Sequence, residues 1–147
     1  MEELPLELLI LKSFHGHLGP YVILGYMMGK IAREKFPDKI YANVYTGTKP
    51  PLSCLVDGIQ MSSCCTLGKG NITLHTGGFP MATFNDDEGS KLMIELKADI
   101  REKVDSEMSL GNEEQRALEL YAMSSKKLFN SEYTPVNRSF RRLIGKQ

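Results

Sequence analysis

The sequence predicts an α+β domain: a mixed β-sheet of about four to five strands flanked by helices. Three observations point there. Apolar residues recur at helical spacing in two early segments, from Leu4 to Leu11 and from Val22 to Ile31. The period then changes to alternation between Lys39 and Thr48. A strand–helix–strand step over residues 40 to 75 follows, then two further strand-like runs and a polar, helical C-terminal third.

Leu4, Leu8 and Leu11, with Pro5 in the first turn, predict a short N-terminal packing helix. After a His-Gly-His turn, Pro20 suits the first position of a second helix. Val22, Ile23, Tyr26, Met27 and Ile31 give that helix one apolar face. Gly25 and Gly29 lie on it, each costing about 1 kcal/mol relative to alanine. The pair therefore marks a close approach by another element, a sheet or a partner subunit. Lys30, Arg33 and Lys35 complement the negative end of the helix dipole, and Pro37-Asp38 stops the run.

Ile40, Ala42, Val44 and Thr46 alternate with Tyr41, Asn43 and Tyr45 and predict the first strand. Gly47 and Pro50-Pro51 break it, and Ser53 is placed to cap a helix opening at Cys54, carrying Leu55, Val56 and Ile59 and ending near Ser63. A glycine-containing turn, Cys65 to Asn71, leads to strands at Ile72–His75, Met81–Phe84 and Lys91–Lys97, the last two joined by a hairpin at Asp86 to Gly89. Glu113 to Phe129 reads as one helix, ended by Thr134-Pro135. The basic tail from Asn137, with Arg138, Arg141, Arg142 and Lys146, reads as a docked or frayed segment. The whole is expected to be one domain over 1–147, with a core of about 5–100 and a helical extension of about 105–147.

The 147 residues carry 18 Lys plus Arg against 18 Asp plus Glu. Without a basic excess to neutralise phosphates, nucleic acid is not an expected partner. The apolar stretches fall short of the roughly 20 residues a membrane span requires, and Met1-Glu2-Glu3 has the wrong charge for a signal peptide, so a cytoplasmic protein without a membrane partner is expected. Three cysteines, two of them adjacent, fit reduced thiols or metal ligands better than a disulfide framework.

Two of the three histidines and all three cysteines fall in two short windows. A parallel strand–helix–strand unit would bring the N-termini of the helices starting at Pro20 and Cys54 to one crevice, where open α/β sheets place ligands. His17 and Cys54 would face each other there, with His15 adjacent. Imidazole nitrogen and thiolate sulfur suit zinc or another divalent transition metal. A helix N-terminus also lowers a thiol pKa, which favours Cys54 as the reactive sulfur. Asp57, one turn later, is placed to hydrogen-bond a histidine or act as a general base, and Lys69 to stabilise charge. Cys65 conflicts with one shared ion: eleven helical steps from Cys54 amount to about 16 Å. Either the chain turns back after about Met61 or a second copy of the chain brings the thiols together. Gly68-Lys69-Gly70 lacks the Gly-x-x-x-x-Gly-Lys-Ser/Thr spacing of a nucleotide loop.

Phe14-His15-Gly16-His17-Leu18-Gly19-Pro20, and Cys54-Leu55-Val56-Asp57-Gly58-Ile59-Gln60 followed by Cys65-Thr66-Leu67-Gly68-Lys69-Gly70-Asn71, resemble the hallmark segments of the FmdE family, named for formylmethanofuran dehydrogenase, over about residues 5 to 100. The resemblance implies an α+β core that is commonly a homodimer, with a metal site formed by His15, His17, Cys54 and Cys65. It also implies association with the subunits of a molybdenum or tungsten enzyme that forms the formyl group of formylmethanofuran. The family's usual Cys-Pro-Gly is Gly19-Pro20-Tyr21 here, Cys64 stands where glycine is usual, and no cysteine follows residue 65 to build a C-terminal zinc finger. Independent catalysis does not follow from the resemblance. The alternative is a non-catalytic interaction module with a structural ion or none. A redox pair of Cys64 and Cys65 is a poorer reading, because a disulfide between adjacent residues is strained.

Overall fold

The computed structural model describes residues 3–136, and the basic tail from Asn137 lies outside them. Helix α1 (Leu6–His15) begins after Pro5 and buries Leu8 and Leu11. It stops at Gly16, whose φ of 100° is a left-handed conformation suited to glycine, and whose N–H donates to the carbonyl of Lys12. Helix α2 (Pro20–Lys35) opens with proline in its first turn and is buried along most of its length.

Strand β1 (Ile40–Val44) is followed by a short 3-10 turn, Leu52–Cys54, and then by helix α3 (Leu55–Ser63). The helix begins one residue later than expected, and Ser53 makes no capping bond; it lies inside the 3-10 turn. Strand β2 (Ile72–Leu74) returns beside β1 in parallel. Strands β3 (Met81–Asp86) and β4 (Lys91–Leu96) form the expected hairpin. The Asp86 side chain accepts from the N–H groups of Glu88 and Ser90 at 3.0 and 2.9 Å, closing its turn.

The C-terminal third differs from its helical reading. Helix α4 (Ala98–Glu107) buries little beyond Val104. The run from Glu113 breaks into α5 (Glu113–Tyr121) and a single turn, α6 (Ser125–Leu128), and the chain then forms strand β5 (Phe129–Thr134) against β4. Only Phe129 of β5 is buried and the rest of the strand is exposed, so no alternation of apolar residues marks it. The edge is recruited by the ladder of β4, not by its own hydrophobic pattern.

The sheet order is β2-β1-β3-β4-β5, with the β1–β2 pair parallel and the other three antiparallel. Ala42 stands between Ile72 and Phe84, and Phe84 opposite Leu92, so one row of apolar side chains crosses the sheet. All four are buried with Ile23, Leu24, Met28, Leu55 and Ile59 of the helices. Burial of each larger apolar side chain contributes about 1.5–3 kcal/mol.

The glycine pair on α2 does mark a close approach, and the element is α3. A Cβ at Gly25 would lie 2.0 Å from the carbonyl oxygen of Leu55, and one at Gly58 of α3 would lie 2.1 Å from that of Val22. The two helices therefore pack backbone to backbone. This contact fixes the start of α3 against the first turns of α2.

Candidate functional site

The two helix starts and the end of α1 enclose a cavity of about 150 Å³ lined by His15, His17, Pro20, Cys54, Met108 and Glu113, among others. His15 is the last residue of α1, and His17 follows the left-handed turn at Gly16. Their rings lie 4.8 Å apart between centroids, tilted by 43°. Helix α5 reaches the same place because it is tied alongside α1: Lys12 bonds to Glu114 at 2.6 Å and the Tyr121 hydroxyl donates to Glu7 at 3.0 Å. Glu113, at the head of α5, consequently lies 3.8 Å from Nε2 of His17.

His15 is held more firmly. Its Nδ1 lies 2.6 Å from Oδ2 of Asp57, and its side chain is only 10% exposed. An ionised carboxylate only accepts, so Nδ1 carries the proton and Nε2 of the neutral ring presents a lone pair. That Nε2 is buried and has no hydrogen-bond partner. Buried polar atoms are seldom left without one. Asp57 also accepts weakly from Gln60 at 3.4 Å. Its place is thus behind His15, fixing that ring.

Cys54 is half-buried at the same cavity. The expected lowering of its pKa is reversed: burial pushes the thiol up from its ordinary value, and the carboxylates of Asp57 and Glu113 push it further. The dipole argument considers one element alone. Here desolvation and two nearby acids outweigh it.

The other expected residues stand elsewhere. α3 runs unbroken to Ser63, Cys64 caps it in a left-handed conformation (φ 64°), and Cys65 is wholly buried with its thiol 3.4 Å from the Ile40 carbonyl. Cys64 is exposed. Lys69 and Cys64 line a different cavity at that end of α3. Within one chain the structure brings together His15, His17, Cys54 and, behind them, Asp57; it does not bring Cys65 or Lys69 to them. Glu113 was not foreseen, because an acid in a first helical turn has an ordinary electrostatic reason to be there. His75 bonds to Asn43 at 2.8 Å and stacks on Tyr45, a tie between the two parallel strands' ends.

The donor types at the first cavity fit a transition ion in kind: a free imidazole lone pair backed by a carboxylate, a second imidazole and a thiol. Among the described residues, no three His, Cys, Asp or Glu side chains already converge as a cage.

A family model described as "FmdE, Molybdenum formylmethanofuran dehydrogenase operon" matches residues 14–136. The chain belongs to the FmdE family. The match runs well past residue 100, through α4, α5 and β5, so the C-terminal elements are part of the FmdE domain. A probable S-adenosyl-L-methionine-binding protein of Archaeoglobus fulgidus is 39% identical over 70 residues, covering 44% of this chain. This chain spans only 19% of that relative's length. Among solved structures, an FmdE-like protein of tungsten formylmethanofuran dehydrogenase from Syntrophus aciditrophicus superposes with a TM-score of 0.63, at 20% identity, over 88% of this chain and 71% of its own. That likeness shows a shared fold. No described helix is long and apolar enough to cross a membrane.

Proposed function

We propose that this FmdE protein is a cytoplasmic metal-binding accessory of a molybdenum or tungsten formylmethanofuran dehydrogenase, and that His15, His17 and Cys54 hold zinc or a similar divalent ion. The observation that carries the reading is the buried, unpartnered Nε2 of His15, whose opposite ring nitrogen is fixed by Asp57. A carboxylate behind a histidine is the usual way of orienting a metal-ligating ring. His17 is more exposed and its ring is free to swing toward the same point. Cys54 would give up its proton as it ligates. When bound, the ion would supply Lewis-acid polarisation of a water or substrate oxygen. Asp57 would hold His15, and Glu113 would orient His17. Cys65 and Lys69 are not needed by this reading.

A homodimer is part of the proposal. Leu6, Leu9, Ile10 and Phe14 are exposed along α1 at helical spacing, an apolar face that a second copy could cover. The same face also favours the second reading, an interaction module with a structural ion.

Elemental analysis of the purified protein tests the site. Wild type and Cys64→Ser should carry a stoichiometric ion and Cys54→Ser should lose most of it; equal loss from both variants would reject the assignment. Chelation separates the two readings, since a structural ion takes the fold with it and an open site loses only ligand binding. Co-purification with a formylmethanofuran dehydrogenase, or its failure under native expression, tests the association.

A further inference from the structure

A second and larger cavity, about 510 Å³, lies at the C-terminal end of α3 and takes no part in the proposed metal site. Its volume falls within the range of about 300–1,000 Å³ seen for small-molecule sites. Three cations line it: Arg33 from the last turn of α2, Lys39 at the entry to β1, and Lys69 in the turn after α3. Asp38 is the one acid among the lining residues. Three positive charges against one negative leave a local excess of two, in a chain whose formal charge is zero.

Neither Arg33 nor Lys69 forms an ion pair with a described carboxylate. Arg33 instead donates from Nη1 to the Asp38 carbonyl at 2.8 Å, which fixes the guanidinium at the rim and leaves its other N–H groups for an oxyanion. Both charges reach the floor of the site: burial raises the Cys65 thiol, while Lys69 and Arg33 pull it the other way. The backbone cannot cradle an anion here, because the N–H groups of Lys69 and Gly70 already bond to the carbonyls of Thr66 and Leu67. Any anion must be held by side-chain charge. A dianion matches the excess of two, whereas a monocarboxylate would leave one charge uncompensated.

We propose that this cavity binds a small organic phosphate between Arg33, Lys39 and Lys69, at a site separate from the His15–Cys54 cavity. Cys64, exposed and lining the same cavity, is a built-in reporter. The test uses the full chain with glycerol 3-phosphate as probe, and follows alkylation of Cys64 by iodoacetamide through peptide mass mapping, with Cys54 as internal reference. Glycerol 3-phosphate should slow alkylation of Cys64 several-fold and leave Cys54 unchanged. Sodium chloride at the same ionic strength, or glycerol, should do neither. Arg33→Gln should abolish the protection. Because Arg33 also ties down the Asp38 carbonyl, the exposed Lys69→Gln gives a second variant whose melting is unaltered and whose protection should also be lost. Absence of protection in wild type, equal protection by chloride, or protection that survives both substitutions would overturn the proposal.

Discussion

The two ends of α3 carry thiols that look interchangeable in the sequence and are chemically opposed in the fold. Ten helical steps, about 15 Å, separate Cys54 from Cys64. At the first end, Cys54 shares a small cavity with two imidazoles and two nearby carboxylates, which oppose its ionisation. At the second, Cys64 is exposed among cations, and Cys65 points into the core at the Ile40 carbonyl. One end is suited to gathering a cation and the other an anion. The helix between them acts as a spacer, held by its glycine contact with α2. Neighbours from other elements, not the position of a cysteine along its own helix, set what each sulfur can do.

The largest expected effect comes from breaking that spacer. Gly25→Ala would drive a methyl group into the Leu55 backbone, where no flexible side chain can yield. Overpacking of this kind typically costs about 1–3 kcal/mol and occasionally more, and a backbone-to-backbone clash belongs at the upper end. Urea denaturation should show a loss of about 3 kcal/mol, with both cavities affected together. Near-wild-type stability would mean that α2 and α3 can slide apart, and the two ends would then not be held in register.

The next sharpens the first end alone. Asp57→Asn removes the carboxylate behind His15 and leaves the imidazole in place. Outer-shell changes of this type lower metal affinity about 10–100-fold. Competition with a chelating dye should find that loss with little change in melting. Unchanged affinity would show that His15 is not a ligand.

The pH dependence follows from the sign of the Cys54 shift. Its pKa is raised, so in the metal-free protein the thiol keeps its proton beyond the ordinary thiol range. Below that value each ion bound must displace the proton, so affinity should rise about tenfold per pH unit between neutrality and mildly alkaline conditions. The same sign means the metal-free fold draws stability from this group at lower pH and loses it as pH rises through the raised value. Glu113→Gln should lower the thiol pKa and bring the affinity rise to lower pH. A flat profile would mean that Cys54 does not ligate as thiolate.

Much of this contrast was legible in the sequence. Helical periodicity and Pro20 located α2, alternation located β1, and Gly25 with Gly29 announced a close approach, although only the structure shows that α3 supplies it. His15, His17 and Cys54 were readable because they flank helix starts. Glu113 was not, because its approach depends on α5 being tied to α1 through Lys12, Glu114, Tyr121 and Glu7, pairs about a hundred residues apart. β5 was missed for a related reason: five of its six residues are exposed, and its partner β4 supplies the order. The direction of the Cys54 shift also depends on such distant neighbours.

The smallest expected effect concerns the second end. Cys64 holds a left-handed conformation at φ 64°, one of two non-glycine residues with positive φ among those described. For a residue with a Cβ this conformation costs about 1–2 kcal/mol, while glycine adopts it without that penalty but loses more entropy on folding. Cys64→Gly should therefore stabilise the fold by about 0.5–1 kcal/mol, the typical size of gain from a backbone-compatible replacement. Its bound metal should be unchanged, because the Cys64 thiol lines the other cavity. Thermal unfolding and elemental analysis on the same preparation read both quantities. A gain in stability with a loss of metal would link the two ends, and α3 would then be a conduit between two coupled sites, not a spacer.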